Sequence, residues 1–182
     1  SGEAYRFADA DRYLAAGMQF TAERDLDYSQ HYMQAWLALT RLYQGRWAEA
    51  GELARGLVAR EHVAAITRIM VLVALGRLRA RRGDPGAAAV LDEALELANR
   101  TQTLQRLGPV RAARAEAAWL AGDRDRTIAE ARAAWDLAVR HRHPWHTGEL
   151  AFWRCRGGER VRLPAWTARP FALQVDGDWR RA

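Results

Sequence analysis

Three histidines near residue 145 have the types and spacing that most resemble a metal site in this chain. His141, His143 and His146 follow the pattern His-x-His-x-x-His, and Glu149 comes three residues later. Imidazole and carboxylate groups bind zinc, but a structural zinc site uses four protein ligands and commonly includes cysteine. Pro144 interrupts the segment, so the three imidazoles do not share one helix face. The pattern therefore favours a helix N-terminus capped by polar residues, and we predict no metal site.

The remaining reactive residue types lack the partners that catalysis needs. Cys155 is the single cysteine and has no evident catalytic partner, so we expect it to pack within a helix in a reducing cytoplasm. Asp92, Glu93 and Glu96 have mixed spacing in one predicted helix, which is typical of a solvated face. Serine and threonine occur in no nucleophile-elbow context. The sequence predicts a protein that is not an enzyme and holds no cofactor.

Every basic residue apart from histidine is an arginine. The chain has 28 of them against 22 carboxylates, which gives a net charge of +6. A phosphate-binding loop of the Gly-x-x-x-x-Gly-Lys-[Ser/Thr] type needs a lysine, and the chain has none. Arginine-rich helices usually present a solvated, salt-bridged face, and the excess charge predicts only weak, salt-sensitive association with nucleic acid. No apolar run approaches the roughly 20 residues of a membrane span. We therefore expect no membrane insertion and no direct, sequence-specific nucleic-acid binding.

The elements that must position any site are marked by repeated glycine turns. Gly45, Gly83 and Gly122 are separated by 38 and 39 residues, and Gly177 begins a fourth turn of the same type. Each glycine is expected to end a helix with a positive φ, and the polar residues after it begin the next helix. In the second turn we expect Asp84 as the N-cap and Pro85 at the first helical position.

Apolar residues recur at three- and four-residue steps on both sides of these turns, which predicts amphipathic helices. The predicted helices cover residues 8–24, 29–44, 47–59, 63–82, 85–100, 104–121, 124–141, 144–156 and 170–176. Residues 157–169, with two glycines and Pro164, form a longer loop. The fold class is all-α, an α-solenoid of antiparallel helix hairpins with a period of about 38 to 39 residues and no β-sheet.

At these turns the sequence resembles the tetratricopeptide repeat. That family has a small residue midway along the first helix, a Gly-Asp-aromatic turn, and alanines in the second helix. The segment 36–50 (Trp36-Leu37-Ala38 to Gly45-Arg46-Trp47-Ala48-Glu49-Ala50) and the segment 75–88 follow this pattern. The repeat around Gly122 has Thr127 where alanine is usual. The period is longer than the usual value of about 34, which indicates a divergent variety with long helices.

Three stretches also resemble the sensor region of large ATP-dependent bacterial regulators of the LuxR/MalT type. They are residues 75–86, 111–122 and 148–153. In that family an ATPase precedes the repeats and a DNA-binding helix-turn-helix follows them, and neither is recognisable in this chain. We therefore expect residues 1–182 to be a single solenoid domain cut from a longer protein. The first helix has the features of a repeat's second helix, and residues 177–182 begin a helix that does not continue.

The resemblance implies that ligands bind in the concave groove, which the first helix of each pair lines. Counting back from each turn glycine gives the candidate groove residues Tyr32, Leu39, Met70, Val73, Arg77, Arg81, Glu116 and Trp119. Arg77 and Arg81 are one helical turn apart and suit a carboxylate or an acidic peptide. The alternative is that they are surface arginines paired with neighbouring carboxylates.

These observations predict a non-catalytic scaffold that binds a protein, peptide or small-molecule effector, as the regulatory repeats of a LuxR/MalT-type transcriptional regulator. The first alternative is a stand-alone tetratricopeptide adaptor that binds a peptide or protein, and the second is an enzyme with its active site in the groove. Self-association through the cut ends is also expected, because apolar side chains there lack a neighbouring repeat. These side chains are Phe7, Tyr13, Leu14, Met18 and Phe20 at one end, and Trp166, Phe171, Leu173 and Trp179 at the other.

Overall fold

A computed structural model describes residues 6–178 and residue 180, and within them the chain is all-helical, with no β-strand. Every predicted helical segment overlaps an observed helix, so the all-α prediction is confirmed. None of these helices is long and apolar enough to cross a membrane. The helices are α1 (Phe7–Ala22), α2 (Asp27–Tyr43), α3 (Trp47–Val58), α4 (Ala65–Arg82), α5 (Ala87–Thr101), α6 (Leu104–Leu120), α7 (Arg124–Ala133), α8 (Trp135–Arg140), α9 (Pro144–Arg156) and α10 (Arg169–Val175).

The chain divides into two compact units, residues 1–100 and residues 101–182. In the first unit, α2 packs against α1, α3 and α4, and α3 also packs against α4. Helices α4 and α5 approach closely at Gly76, where an added Cβ would lie 2.5 Å from Leu91 Cδ2. Arg68 Nε on α4 also donates to Glu93 Oε1 on α5 at 2.6 Å. Small residues at helix crossings therefore set the packing distance in this unit.

In the second unit, α6 packs against α7, α8 and α9, while α9 also contacts α7, α8 and α10. Alanines from three of these helices surround Leu150 and Trp153 in the core. The absence of a side chain at Gly148 lets Phe171 of α10 pack closely against α9. A Cβ added at Gly148 would lie 2.6 Å from Phe171 Cβ. Phe171 is only 6% exposed. The expectation that it is an unpartnered end residue is wrong, since α10 packs it against α9. Trp179 lies outside the described residues.

The glycine turns have the predicted backbone conformation. Gly45, Gly83, Gly122 and Gly177 have φ between +72° and +82°. At the first turn the N–H of Arg46 donates to the carbonyl of Arg41 at 2.9 Å, and the other three turns repeat this bond. Such i to i−5 bonds satisfy carbonyls that the end of a helix leaves open. The prediction that these glycines end helices is confirmed.

Two specific predictions about the helices are wrong, although most other helix ends differ from the prediction by no more than two residues. Helix α5 begins at Ala87, so Asp84 is not its N-cap and Pro85 is not its first residue. Gly86 has a φ of +80°, which a right-handed helix cannot accommodate, and the helix therefore starts after it. The predicted helix 124–141 is interrupted at Ala134, whose φ of −113° and ψ of 0° depart from the ideal helical values of about −63° and −42°. Its two parts are α7 and α8.

Candidate functional site

Most of the predicted groove residues lie in the packed interior. Leu39, Met70, Val73, Arg77 and Glu116 each expose at most 4% of their surface. Side chains this covered stabilise the helix packing and present little surface to a ligand. The other three predicted residues are half-buried, namely Tyr32, Arg81 and Trp119.

The predicted arginine pair does meet at one place, on the ring of Tyr43. The Cζ atoms of Arg77 and Arg81 lie 5.7 Å and 5.8 Å from the Tyr43 ring centroid. Both are within the range of cation–π attraction. Tyr32 instead packs edge-to-face on Trp36, with ring centroids 6.4 Å apart. The structure therefore joins Arg77 and Arg81 across α2 and α4, and it places Tyr32 in a different contact.

A groove with a volume of about 490 Å³ lies between α2 and α3. It is lined by Gln34, Leu37, Arg41, Glu49, Glu52, Leu53, Gly56, Leu57 and Arg60. None of the eight predicted residues is among them. The leucines supply an apolar floor and the charged residues form a rim, which is the general make-up of a site for an amphipathic ligand.

Helical spacing explains why these residues share one groove. Gln34, Leu37 and Arg41 follow each other at three- and four-residue steps, so they lie on one face of α2. On α3, Glu49, Leu53 and Gly56 have the same spacing and face them. A Cβ added at Gly56 would meet no atom within 4 Å. The missing side chain at Gly56 therefore leaves this part of the groove open.

One end of the groove is fixed by Arg41, which connects three helices. Its Nη1 donates to Asp11 Oδ1 on α1 at 2.5 Å and to Gln44 Oε1 at 2.7 Å, and its Nε lies 3.5 Å from Glu49 Oε2 on α3. Gln44 Nε2 also donates to Asp11 Oδ2 at 2.9 Å. The hydrogen bond from Gln44, together with those from Arg41, lowers the pKa of Asp11 despite partial desolvation. The network holds the guanidinium in one orientation at the rim.

The rest of the rim keeps polar groups available. Arg60 Nη1 lies 3.0 Å from His31 Nε2 at the other end. Gln34 and Glu52 form no hydrogen bond or ion pair with any residue that the structure describes. An amide and a carboxylate thus stand beside the leucine floor, where they can bind donors of a ligand. Sequence reasoning missed this groove, although Gly56, a glycine inside the predicted helix 47–59, was a signal for it.

The histidine segment forms the predicted helix cap. Nδ1 of His143 accepts the backbone N–H of His146 at 3.2 Å, which satisfies a donor at the start of α9. The two imidazole rings stack with centroids 4.1 Å apart. The interpretation of this segment as a capped helix N-terminus is confirmed. Cys155 is half-buried, and desolvation raises the pKa of its thiol.

Comparisons with known proteins identify no relative of this chain. No protein-family model matches the chain, and neither the curated proteins nor the solved structures contain a significant match.

Proposed function

We propose that the chain is a non-catalytic helical-repeat scaffold of the tetratricopeptide kind, which binds a partner in the groove between α2 and α3. The observation that carries this proposal is a packing pattern that occurs in both units. Helix α2 packs against α3 and α4, and α3 packs against α4. Helix α6 likewise packs against α7 and α9, and α7 packs against α9. Stacked helix hairpins have this three-way contact, in which each first helix touches its own partner and the next pair.

A small buried residue at one repeated position also supports the proposal. Ala38, Gly76 and Ala115 each precede a turn glycine by seven residues, and each is buried. At Gly76 the neighbouring helix comes within a distance that a side chain would obstruct. The resemblance to tetratricopeptide repeats assigns a small residue to this position for the same reason. The repeat interpretation therefore rests on packing as well as on turn spacing.

For the parent protein we propose a LuxR/MalT-type transcriptional regulator, and this assignment depends on the resemblance of residues 75–86, 111–122 and 148–153. Function cannot be inferred from a fold alone, so the test is the coding sequence on both sides of this segment. A nucleotide-binding loop upstream and a helix-turn-helix downstream would support the regulator. A flanking sequence with neither would contradict it and favour the stand-alone adaptor.

The groove is tested by filling it at Gly56 without disturbing the core. Gly56→Trp places a large side chain where a Cβ meets nothing within 4 Å, and Gly56→Ala is the matched control. Both replace a helical glycine, which costs about 1 kcal/mol relative to alanine, so neither is expected to lower the melting temperature. Peptides selected from a displayed library, and metabolites found by thermal shift, should bind the wild type and Gly56→Ala. Gly56→Trp should lose them.

Two outcomes contradict the groove as the binding site. One is a set of binders whose affinities do not change in Gly56→Trp. The other is loss of binding in Gly56→Ala as well, which would indicate an effect on helix packing. Recovery of each ligand after incubation is measured in parallel, because a chemically altered ligand would favour the enzyme alternative.

A further inference from the structure

The net charge of the chain is confined to its second unit. Residues 1–100 carry 13 arginines and 13 carboxylates, whereas residues 101–182 carry 15 arginines and nine carboxylates. The excess of +6 therefore belongs entirely to the second unit. An imbalance of this size favours association with an anionic partner.

Part of this excess is concentrated around one carboxylate, Glu159. Arg154 donates to it through Nε at 2.9 Å and Nη2 at 2.5 Å. Arg132 donates through Nε at 3.2 Å and Nη2 at 2.9 Å. Two forked guanidinium groups thus share a single carboxylate, so one positive charge remains after pairing. Arg132 keeps 61% of its side chain exposed to a further acceptor.

The segment after Glu159 adds two more arginines. Arg160 and Arg162 are exposed, while Val161 and Leu163 between and after them are half-buried. Such alternation of exposed and half-buried residues is typical of extended segments. The backbone of Val161 is a hydrogen-bond partner of the Cys155 thiol, so the segment lies beside the end of α9. Neither Arg160 nor Arg162 pairs with any residue that the structure describes.

Aromatic rings lie against two guanidinium groups of this region. Arg154 Cζ lies 4.5 Å from the ring centroid of Trp135, and Arg156 Cζ lies 4.3 Å from that of Trp119. The guanidinium of Arg154, stacked on Trp135, directs its N–H edge to the carboxylate of Glu159. The covered ring faces are at the same time closed to stacking by nucleic-acid bases. The arrangement therefore favours carboxylates over a single-stranded nucleic acid.

We propose that this surface, formed by Arg132, Arg154, Arg156, Arg160 and Arg162 and called here the Glu159 corner, binds an extended acidic segment of a partner protein. In extended chains alternate side chains on one face are about 7 Å apart. Arg160 and Arg162 are alternate residues with exposed side chains, so they suit the alternate carboxylates of an extended acidic peptide. The Glu159 corner belongs to the second unit, so its occupant is additional to the ligand proposed for the groove of the first unit.

The experiment measures the fluorescence anisotropy of a labelled peptide of alternating glutamate and serine, titrated with the whole chain at physiological salt. The test variant is Arg160→Gln/Arg162→Gln. The control is Arg140→Gln/Arg142→Gln, which removes the same charge near the other end of α9, about 18 Å away along the helix. All four arginines are exposed, and melting curves verify that both variants are folded. We expect affinity to fall about tenfold in the test variant and less than about twofold in the control.

A variant that is expected to raise the peptide affinity strengthens the design. Glu159→Gln removes the carboxylate that competes for Arg132 and Arg154, so the folded variant should bind the peptide more tightly than wild type.

Several results overturn the proposal. Equal losses in the test and control variants would show that net charge alone drives binding. Absence of peptide binding by the wild type at physiological salt would contradict the proposed site. Tighter binding of a single-stranded oligonucleotide with the same number of charges would identify a nucleic acid as the partner. A peptide affinity that is unchanged in Gly56→Trp but lost in the test variant would show that the peptide binds the Glu159 corner and not the groove.

Discussion

At the scale of single residues, arginine–carboxylate contacts connect separate elements of the second unit. Hydrogen bonds from Arg154 and then Arg132 lower the pKa of Glu159 from 4.5 to about 2. Glu130 on α7 is similarly held by Arg114 and Arg111 of α6, at 2.8 Å and 2.6 Å. Its burial opposes ionisation, but these two hydrogen bonds outweigh it and lower its pKa. Both carboxylates therefore stay ionised at neutral pH and connect different elements.

The Glu159 contacts predict a pH-dependent contribution to stability. Because the pKa of Glu159 is lower in the folded chain, its stabilisation is fully present above about pH 4.5 and disappears as the pH falls through about 2. Glu159→Gln should cost about 1 kcal/mol at neutral pH, a modest value because the partners are partly solvated. Urea unfolding at several pH values measures this difference.

The control is Glu96→Gln, since Glu96 forms an exposed ion pair with Arg100 and with no other residue that the structure describes. Its effect should be within about 0.5 kcal/mol of zero at every pH. A cost for Glu159→Gln that persists unchanged at the lowest pH would show that the ion pair is not its source.

At the scale of elements, the helix ends use two kinds of residue for one backbone conformation. Glycine occupies the positive-φ position at the turns that follow α2, α4, α6 and α10. Elsewhere Asp25, Gln102 and Arg142 adopt φ values of +50°, +52° and +48°. The left-handed region costs a residue with a Cβ about 1 kcal/mol or more. These three positions are therefore less favourable than the glycine turns.

Reciprocal substitutions at two helix ends should change stability in opposite directions. Gly83→Ala is expected to lower the free energy of unfolding by about 1 kcal/mol, although its Cβ would meet nothing within 4 Å. Arg142→Gly is expected to raise it by about 0.5 to 1 kcal/mol, because Arg142 is exposed and its positive φ is relieved. Thermal and urea unfolding measure both. Changes of the same sign would refute the backbone explanation.

At the scale of the whole molecule, the unpartnered side of α1 is the surface most suited to self-association. Within its unit, α1 packs against α2 alone among the described helices. Tyr13 and Phe20 on α1 are 63% and 51% exposed, whereas Phe7, Leu14 and Met18 are half-buried. At the other end, Trp166 and Leu173 are half-buried and Phe171 is covered. The prediction of self-association therefore applies to the α1 surface.

Sedimentation velocity across a concentration series tests this prediction. The wild type should show a concentration-dependent increase in sedimentation coefficient, and Tyr13→Ser/Phe20→Ser should shift the association to higher concentration. Both side chains are exposed, so the double variant should keep the wild-type melting temperature within a few degrees. A wild type that stays monomeric at high concentration would show that α1 does not drive association.

The sequence by itself determined the helices and most of their ends. Glycines at a regular spacing and apolar residues at helical steps are local signals, because both depend on residues within a few positions of each other. The prediction failed at Asp84 and Pro85, where the following Gly86 adopts a positive φ and delays the helix to Ala87. It also missed the interruption at Ala134, which no local signal marks.

Only the tertiary structure decided which of the predicted faces remain accessible. Counting along α4 places Met70, Val73 and Arg77 on one face, but whether that face is open depends on what packs against it, and all three are buried. The groove between α2 and α3 has the same origin, since Gly56 opens it only because α3 lies beside Leu37 and Arg41. Contacts such as Arg114 with Glu130 need a defined register between α6 and α7. Helix periodicity fixes the face of a residue, whereas burial and pairing are set by neighbouring helices that are distant in sequence.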